Sequence, residues 1–201
     1  NRGIIYWLGS YPWILKNRGI GARGDQASGA LAAGHNFYNL LPPQDKKVRG
    51  GAREGLFAEH PEFYPLNKEG QRETPWSMGL CGTNPDLPKF LADALVDEIQ
   101  TRQQRSGGEI DWSRPFSAAQ GDGFTGCQCN ACRDLVHREQ SEAAPLILLL
   151  NRALDQLNKT YPQAQLITFS YFETLDPPKS LRPHENLWIN IVSSARSQNM
   201  A

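Results

Sequence analysis

Residues 144–171 read APLILLLNRALDQLNKTYPQAQLITFSY, a helix-forming segment followed by a strand-forming one. Apolar residues recur at helical spacing from Ala144 to Tyr161, which predicts an amphipathic helix packed on a core. Gln165 to Tyr171 is a short apolar run without strict alternation, which is typical of a strand covered on both faces. A helix leading into such a strand is the repeating unit of parallel α/β sheets.

The same alternation extends along the chain in both directions. The pattern predicts further strands over residues 77–82, 115–120 and 186–192, and helices over 11–17, from Asn84 to Arg105 and from about Asn130. Residues 19–34 and 46–55 are rich in glycine and charge, and we expect loops there.

The fold class expected from this order is α/β, specifically a (β/α)8 TIM-barrel-like architecture. The βα units amount to about half of those that a closed eight-stranded barrel requires. The chain also opens with Asn1 rather than Met and stops at Ala201 without a terminating pattern. We therefore expect one partial domain over residues 1–201, truncated at both ends.

Composition excludes some classes of partner. The 21 basic and 21 acidic residues give a formal net charge of zero, which argues against nucleic acid as the main partner because phosphate binding requires a cationic face. The one basic cluster lies in the loop predicted over 46–55. No apolar run approaches the roughly 18 residues of a membrane span, so none is expected in this segment.

Polar side chains follow three of the predicted strands, where a parallel α/β sheet carries its chemistry. They are Cys81 with Asn84, Gln120 with Asp122, and Tyr171 with Glu173. Asp122 lies between two glycines, an arrangement that either opens a carboxylate to a ligand or forms a turn in which the aspartate bonds its own backbone. With Glu173 it offers the carboxyl pair of a glycosidase, about 5 Å apart for retention and wider for inversion.

Two loop histidines have aromatic neighbours. His35 precedes Asn36-Phe37-Tyr38, and His60 precedes Pro61-Glu62-Phe63-Tyr64. Such segments can line a sugar subsite by hydrogen bonding and stacking. The alternative is that both histidines are packed loop residues without a ligand.

All four cysteines belong to one pattern. Cys127, Cys129 and Cys132 lie within six residues, and Cys81 follows the preceding predicted strand. Four thiolates meeting at one point would form a closed structural zinc site, whereas an oxidising compartment would favour disulfides among the same residues. Spacing leaves both open, and in either case the cysteines staple loops together.

Several segments in this order resemble one bacterial domain family, long labelled as of unknown function and placed among the TIM-barrel glycoside hydrolases. They are Trp13–Arg18, Gly34–Phe37, His60–Leu66 with Gly70–Arg72, Leu80–Pro85, Gln120–Gly123 with Cys127–Cys132, Leu150-Asn151, and Ser170-Tyr171 with Pro177-Pro178. Some family members are endo-β-N-acetylglucosaminidases that release N-glycans. Its proteins are typically exported, which implies a periplasmic, cell-surface or secreted location.

The resemblance implies a glycosidase (O-glycosyl hydrolase) acting on a bacterial-, plant- or host-derived glycan, with N-acetylhexosamine-containing glycans among the candidates. We expect Asp122 and Glu173 as catalytic residues, and a carbohydrate substrate bound by His35, His60, Asn84, Gln120 and Tyr171. No cofactor is expected for catalysis, and the fragment alone is expected to lack part of the site. The alternatives are a carbohydrate-binding barrel without hydrolysis and a cysteine-stapled interaction domain.

Overall fold

A computed structural model describes residues 5–6, 20–21, 34–48, 51–74, 79–122 and 126–191. Within these ranges the chain forms seven strands: β1 (Ile5–Tyr6), β2 (Ile20–Gly21), β3 (Lys46–Val48), β4 (Gly51–Arg53), β5 (Phe116–Ser117), β6 (Leu166–Ser170) and β7 (Leu187–Ile191). The main sheet is parallel, in the spatial order β2-β1-β7-β6-β5. The α/β class is confirmed, and the described strands form no closed barrel.

The described α-helices are α1 (Phe37–Leu40), α2 (Leu87–Arg105), α3 (Asn130–Glu139) and α4 (Ala144–Thr160), with short 3-10 helices at Pro61–Phe63 and Phe172–Thr174. Three of these four α-helices, α2 to α4, agree with the predicted ones, whereas α1 and the two 3-10 helices were not predicted. The helix predicted over residues 11–17 lies outside the described ranges. In the described part of the chain, no helix is long and apolar enough to cross a membrane.

The core lies where α2 packs against α4 above the sheet. Leu87, Leu91 and Leu95 of α2 follow one another at a spacing of four and are completely buried. Each such leucine contributes about 1.5–3 kcal/mol through the apolar surface it removes from water. All five residues of β6 are buried as well, as the unbroken apolar run Leu166–Ser170 predicts.

The strand predicted over residues 77–82 is wrong for residues 79–82, and residues 75–78 lie outside the described ranges. Leu80 and Cys81 are buried in a loop. The neighbouring Gly82 touches the first turn of α4, where a Cβ atom would overlap the carbonyl oxygen of Pro145. Burial against a helix produces the same short apolar run as burial in a sheet, so the pattern did not distinguish them.

The loop predicted over residues 46–55 is also wrong in part. Strands β3 and β4 pair in antiparallel fashion, with Lys46 opposite Arg53. The guanidinium of Arg53 donates to the carbonyl oxygens of Ala94 (3.0 Å) and Leu40 (3.4 Å), which ties the hairpin to α2 and α1. These bonds join distant parts of the chain, and local charge and glycine content carried no sign of them. Strand β2 likewise interrupts the predicted loop over 19–34.

The outer edge of β5 is covered by the segment Gly34–Phe37. The amide nitrogens of Asn36 and Phe37 both donate to the carbonyl oxygen of Ala119 at 3.1 Å. The side chain of Asn36 donates to the carbonyl oxygen of Ser117. This pairing protects an otherwise open sheet edge and brings His35 beside the carboxyl end of β5.

Candidate functional site

The carboxyl ends of β5 and β6 bring together three of the predicted site residues, Asp122, His35 and Tyr171. Asp122 follows β5 and keeps 75% of its side chain exposed. The imidazole of His35 reaches it from the edge-covering segment, and the phenol of Tyr171 reaches it from the end of β6. A contact network across more than 130 residues of sequence thus forms around one carboxylate.

His35 connects Asp122 to the backbone. Its Nδ1 lies 2.6 Å from the carbonyl oxygen of Gln120, and its Nε2 lies 3.3 Å from Asp122 Oδ1. A carbonyl oxygen only accepts hydrogen bonds, so this contact requires a proton on Nδ1. Nε2 and Oδ1 can then hydrogen-bond only if one of them carries a proton. The backbone therefore orients the His35 ring toward the Asp122 carboxylate.

Tyr171 fixes the loop that carries Asp122. Its hydroxyl donates to the carbonyl oxygen of Gly121 at 2.7 Å and lies 3.4 Å from Asp122 Oδ1. Burial raises the pKa of Tyr171 well above its ordinary value, with smaller contributions from the charges of Asp122 and Glu173. The phenol therefore stays protonated at neutral pH and remains a hydrogen-bond donor.

Aromatic rings stand beside this carboxylate. The His35 ring lies 5.0 Å from the Phe169 ring between centroids, and Phe169 meets Tyr171 edge to face at 5.8 Å. The next aromatic residue along the chain, Phe172, has 49% of its surface exposed. Its φ is 47°, a backbone conformation that residues other than glycine rarely adopt. An exposed aromatic held in a strained conformation at a strand end is typical of a ligand contact.

We call the carboxyl ends of β5 and β6 the rim. Glu173 and Gln120 both lie at this rim, but only Glu173 is exposed. Glu173 is exposed on the 3-10 helix Phe172–Thr174, and among the described residues no hydrogen bond or ion pair joins it to Asp122. Gln120 is completely buried, and its amide nitrogen lies 3.5 Å from the carbonyl oxygen of Phe169. Gln120 therefore supports the rim through its backbone contact with His35, and its side chain does not face solvent.

Two predicted substrate-binding residues lie elsewhere. The ring of His60 stacks on Phe63 at 4.6 Å, and its Nδ1 lies 3.1 Å from Glu62 Oε1. Asn84 Oδ1 accepts from the amide nitrogens of Asp86 and Leu87, which begins helix α2. Within the described residues neither side chain contacts Asp122, and both have the packing and capping roles common for these residue types.

Several buried polar side chains near this rim lack a hydrogen-bond partner. They are Gln120 Oε1, Thr168 Oγ1 and both amide atoms of Asn190, within the described part of the chain. Asn190 pairs in register with Phe169, so its side chain lies on the same face of the sheet as that ring, whereas Thr168 lies on the opposite face. Buried polar atoms without a partner raise the free energy of the folded state.

The four cysteines form a second cluster, as the sequence predicted. Their sulfur atoms all lie within 4.8 Å of one another. Cys81 Sγ is 3.6 Å from Cys129 Sγ and 3.9 Å from Cys132 Sγ, and all four thiols are free. Cys129 and Cys132 belong to the start of α3, whereas Cys81 lies in the turn before α2. The cluster therefore joins the N-terminal ends of two helices.

Hydrogen-bond donors surround these sulfurs. The amide nitrogen of Leu66 donates to Cys127 Sγ at 3.3 Å, and Arg72 Nη1 lies 3.7 Å from the same sulfur. Thr83 Oγ1 lies 3.1 Å from Cys132 Sγ. Hydrogen bonds from Cys127 and Cys132, with a further one from Arg72, lower the pKa of Cys81 well below its ordinary range. These surroundings stabilise negative charge on Cys81, whereas hydrogen bonds with Cys127 and Cys81 raise the pKa of Cys132 above its ordinary value.

A family model described as Domain of unknown function (DUF4838) matches residues 10–200. The chain belongs to this family. The DUF4838 match includes Asp122, His35, Tyr171, Glu173 and the four cysteines. Comparison with curated proteins and with solved structures found no match.

Two aromatic residues at the carboxyl end of β6, Phe169 and Phe172, are not among the site residues expected from the sequence. Phe169 was read as part of a buried strand, and its contact with His35 arises only because the segment Gly34–Phe37 folds onto β5. Phe172 offered one usable signal, an aromatic residue next to Glu173 directly after a strand.

Two cavities flank the rim without containing Asp122. One of about 330 Å³ lies between α4 and β7, lined by apolar residues including Leu146, Ile147 and Ile189. The other, of about 470 Å³, is polar and borders His35, Asn36 and Arg53. The apolar cavity has no carboxylate or histidine in its lining, whereas His35 and Glu98 line the polar one.

Proposed function

We propose that this DUF4838 domain forms part of the active site of a glycoside hydrolase built on a (β/α)8-type barrel. The observation that carries the proposal is the convergence of His35 and Tyr171 on the exposed carboxylate of Asp122. The three meet where parallel strands end, which is where barrels of this type place their chemistry. The Asp122 carboxylate is held by neighbouring side chains and still exposed to solvent, which suits it to contact a ligand.

The pairing of His35 with Asp122 supports a role in acid–base chemistry. Glycoside hydrolysis requires one carboxyl group to protonate the leaving oxygen and a second to act as nucleophile or base. Asp122 takes the first role or orients the substrate, and Glu173 provides a second carboxyl on the same rim. Proton transfer by a positioned group of this kind contributes about 10²–10⁴-fold to a rate.

The aromatic rings favour a sugar over other ligands. Sugars present apolar C–H faces that pack on aromatic rings, while their hydroxyl groups pair with polar side chains at the ring edges. Phe172 is exposed next to Tyr171, with 5.3 Å between the ring centroids. A sugar stacked on Phe172 would have its hydroxyl groups near Asp122 and Glu173.

An N-acetylhexosamine-containing glycan is the preferred substrate. With such a sugar, the acetamido oxygen serves as nucleophile and the protein needs only an acid and an orienting carboxylate. The resemblance to exported bacterial proteins that include endo-β-N-acetylglucosaminidases supports this choice, together with a periplasmic, cell-surface or secreted location.

A barrel that binds glycans without hydrolysing them is the second candidate. The observation that favours it is the exposed ring of Phe172 beside Tyr171, an aromatic surface that can bind a sugar without a second carboxyl group. Fold alone does not decide between binding and hydrolysis. In that case Phe172 and Asp122 would be ligand contacts.

The test is hydrolysis of a panel of aryl glycosides and N-glycoproteins by the full-length protein that contains this domain. We expect release of a product ending in β-N-acetylglucosamine. Glycan binding measured by calorimetry without product release would support the binding barrel. If the protein neither releases a product from any member of the panel nor binds one, both candidates are contradicted.

A further inference from the structure

We propose that Cys81, Cys127, Cys129 and Cys132 bind one Zn²⁺ ion as a closed structural site. The inference is independent of the proposed glycosidase function, because it rests on a different group of residues and predicts metal content and stability. Four thiolate ligands leave no open coordination position, so the ion would not take part in catalysis.

The sulfur–sulfur distances fit a tetrahedral zinc site. Zinc–thiolate bonds are about 2.3 Å, so the edges of a regular tetrahedron of sulfurs are about 3.8 Å. The distances from Cys81 Sγ to Cys129 Sγ and Cys132 Sγ are 3.6 and 3.9 Å. All six pairs lie within 4.8 Å. An ion at the centre of this group would bind with little movement of the chain.

The same geometry disfavours disulfides. A disulfide brings two sulfurs to about 2.05 Å and turns them toward each other as a pair. Here Cys81 Sγ lies about equally far from Cys129 Sγ and Cys132 Sγ, both at the start of α3. A disulfide with either one would leave the other thiol unpaired and move the first turn of α3.

The surroundings supply what buried thiolates require. Three of the four cysteines are buried and Cys129 is partly buried, so bulk water does not solvate the sulfurs. Four thiolates and Zn²⁺ carry a net charge of −2, which the Arg72 guanidinium offsets in part from 3.7 Å away. The Leu66 amide and the Thr83 hydroxyl bond Cys127 and Cys132 directly. Such outer contacts orient the ligands of metal sites.

The ion would connect the turn before α2 to the start of α3. Cys81 lies in that turn, where Asn84 accepts from the amide of Leu87 at the start of α2, and Cys129 and Cys132 lie at the start of α3. Leu66 ties a further segment to this site, since its carbonyl oxygen accepts from the Gln128 amide. Asp122 lies five residues before Cys127. Zinc would thus hold the chain in place five residues after Asp122.

The first experiment measures metal and thiols on the full-length protein, purified without chelators. We expect about one zinc ion for each such cluster by mass spectrometry of the metals. The chain has four cysteines, all in the cluster, so we also expect its thiols to react slowly with a thiol reagent until a chelator removes the metal. Iron in place of zinc, or disulfides mapped between these cysteines with no metal, would overturn the proposal.

Substitutions provide the second experiment. Cys81→Ser and Cys132→Ser are expected to lose bound zinc, whereas Thr83→Val, which alters a neighbour rather than a ligand, is expected to retain it. Retention of zinc by both cysteine variants would contradict the assignment. If the cysteine variants do not fold, cobalt replacement in the unsubstituted protein gives the answer, because tetrahedral thiolate coordination produces characteristic visible absorption. Absence of those bands after cobalt loading would also contradict it.

Discussion

At the residue scale, Tyr171 has two roles. Its hydroxyl holds the backbone next to Asp122, and its ring contacts the rings of Phe169 and Phe172. Its hydroxyl is the donor for the Gly121 carbonyl oxygen at 2.7 Å. The tyrosine is buried, so that carbonyl has little access to water as a replacement partner. The geometry of Asp122 therefore depends on a side chain 49 residues away in sequence.

We expect Tyr171→Phe to lower the free energy of unfolding by about 1–3 kcal/mol, because the variant leaves a buried acceptor without its donor. Urea denaturation measures the change. Tyr161→Phe is the matched control, since the Tyr161 hydroxyl donates no hydrogen bond among the described residues. Equal effects of the two substitutions would contradict the role given to the Tyr171 hydroxyl.

Glu139 is one residue through which the free energy of unfolding depends on pH. Its carboxylate accepts from the amide nitrogens of Leu181 (2.9 Å) and Ser180 (2.7 Å) and from the Ser180 hydroxyl. These bonds, the Leu181 amide first, lower the pKa of Glu139 from 4.5 to about 2. Glu139 thereby ties the end of α3 to the segment that leads into β7.

The pKa of Glu139 is lower in the folded state than in the unfolded chain. The contribution of Glu139 to the free energy of unfolding is therefore complete above pH 4.5 and is lost as the pH falls toward 2. We expect Glu139→Gln to be less stable than the unsubstituted protein at pH 7, with the difference shrinking between pH 4.5 and pH 2. Urea denaturation at several pH values measures this. A difference that does not change with pH would show that the carboxylate charge is not responsible.

At the element scale, the turn before α2 and the first turn of α4 are in close contact. Gly82 lies so near the Pro145 carbonyl that no side chain fits between them. This contact positions Cys81 on one side and the start of α4 on the other. It also explains why residues 79–82 are buried without forming a strand.

We expect Gly82→Ala to destabilise the fold by about 1–3 kcal/mol, the usual effect of overpacking against groups that cannot move. Gly34→Ala is the matched control, because no atom lies within 4 Å of a Cβ placed there. Thermal unfolding of both variants measures the effect. If Gly82→Ala is as stable as Gly34→Ala, then the first turn of α4 can move away from the added methyl group at no cost, and the prediction is wrong.

At the scale of the whole molecule, local patterns predicted the elements whose signals are local. Helices α2, α3 and α4 and strands β6 and β7 follow from helical spacing and from short apolar runs. The hairpin β3–β4 did not, because Arg53 stabilises it through carbonyl oxygens of α1 and α2 that only the folded chain brings near.

The same distinction applies to the candidate site. The position of Asp122 and Tyr171 after strands predicted their place on the rim, because parallel strands end at one edge. The contact of His35 with Asp122 depends on the Gly34–Phe37 segment pairing with β5, which no local pattern encodes. The cysteine cluster was predictable because three of its members lie within six residues, although spacing did not decide between a metal and disulfides.

The most direct test of the proposed function compares Asp122→Asn with Asp93→Asn in the full-length protein. Asp93 is an exposed aspartate of α2 paired with Lys89, so it controls for the loss of a surface charge. We expect Asp122→Asn to lower kcat/KM for release of a β-N-acetylglucosamine-terminated product by about 100-fold or more, as loss of an acid–base group does, with Asp93→Asn unchanged. Near-normal turnover by Asp122→Asn would contradict the assignment of the reaction to this rim.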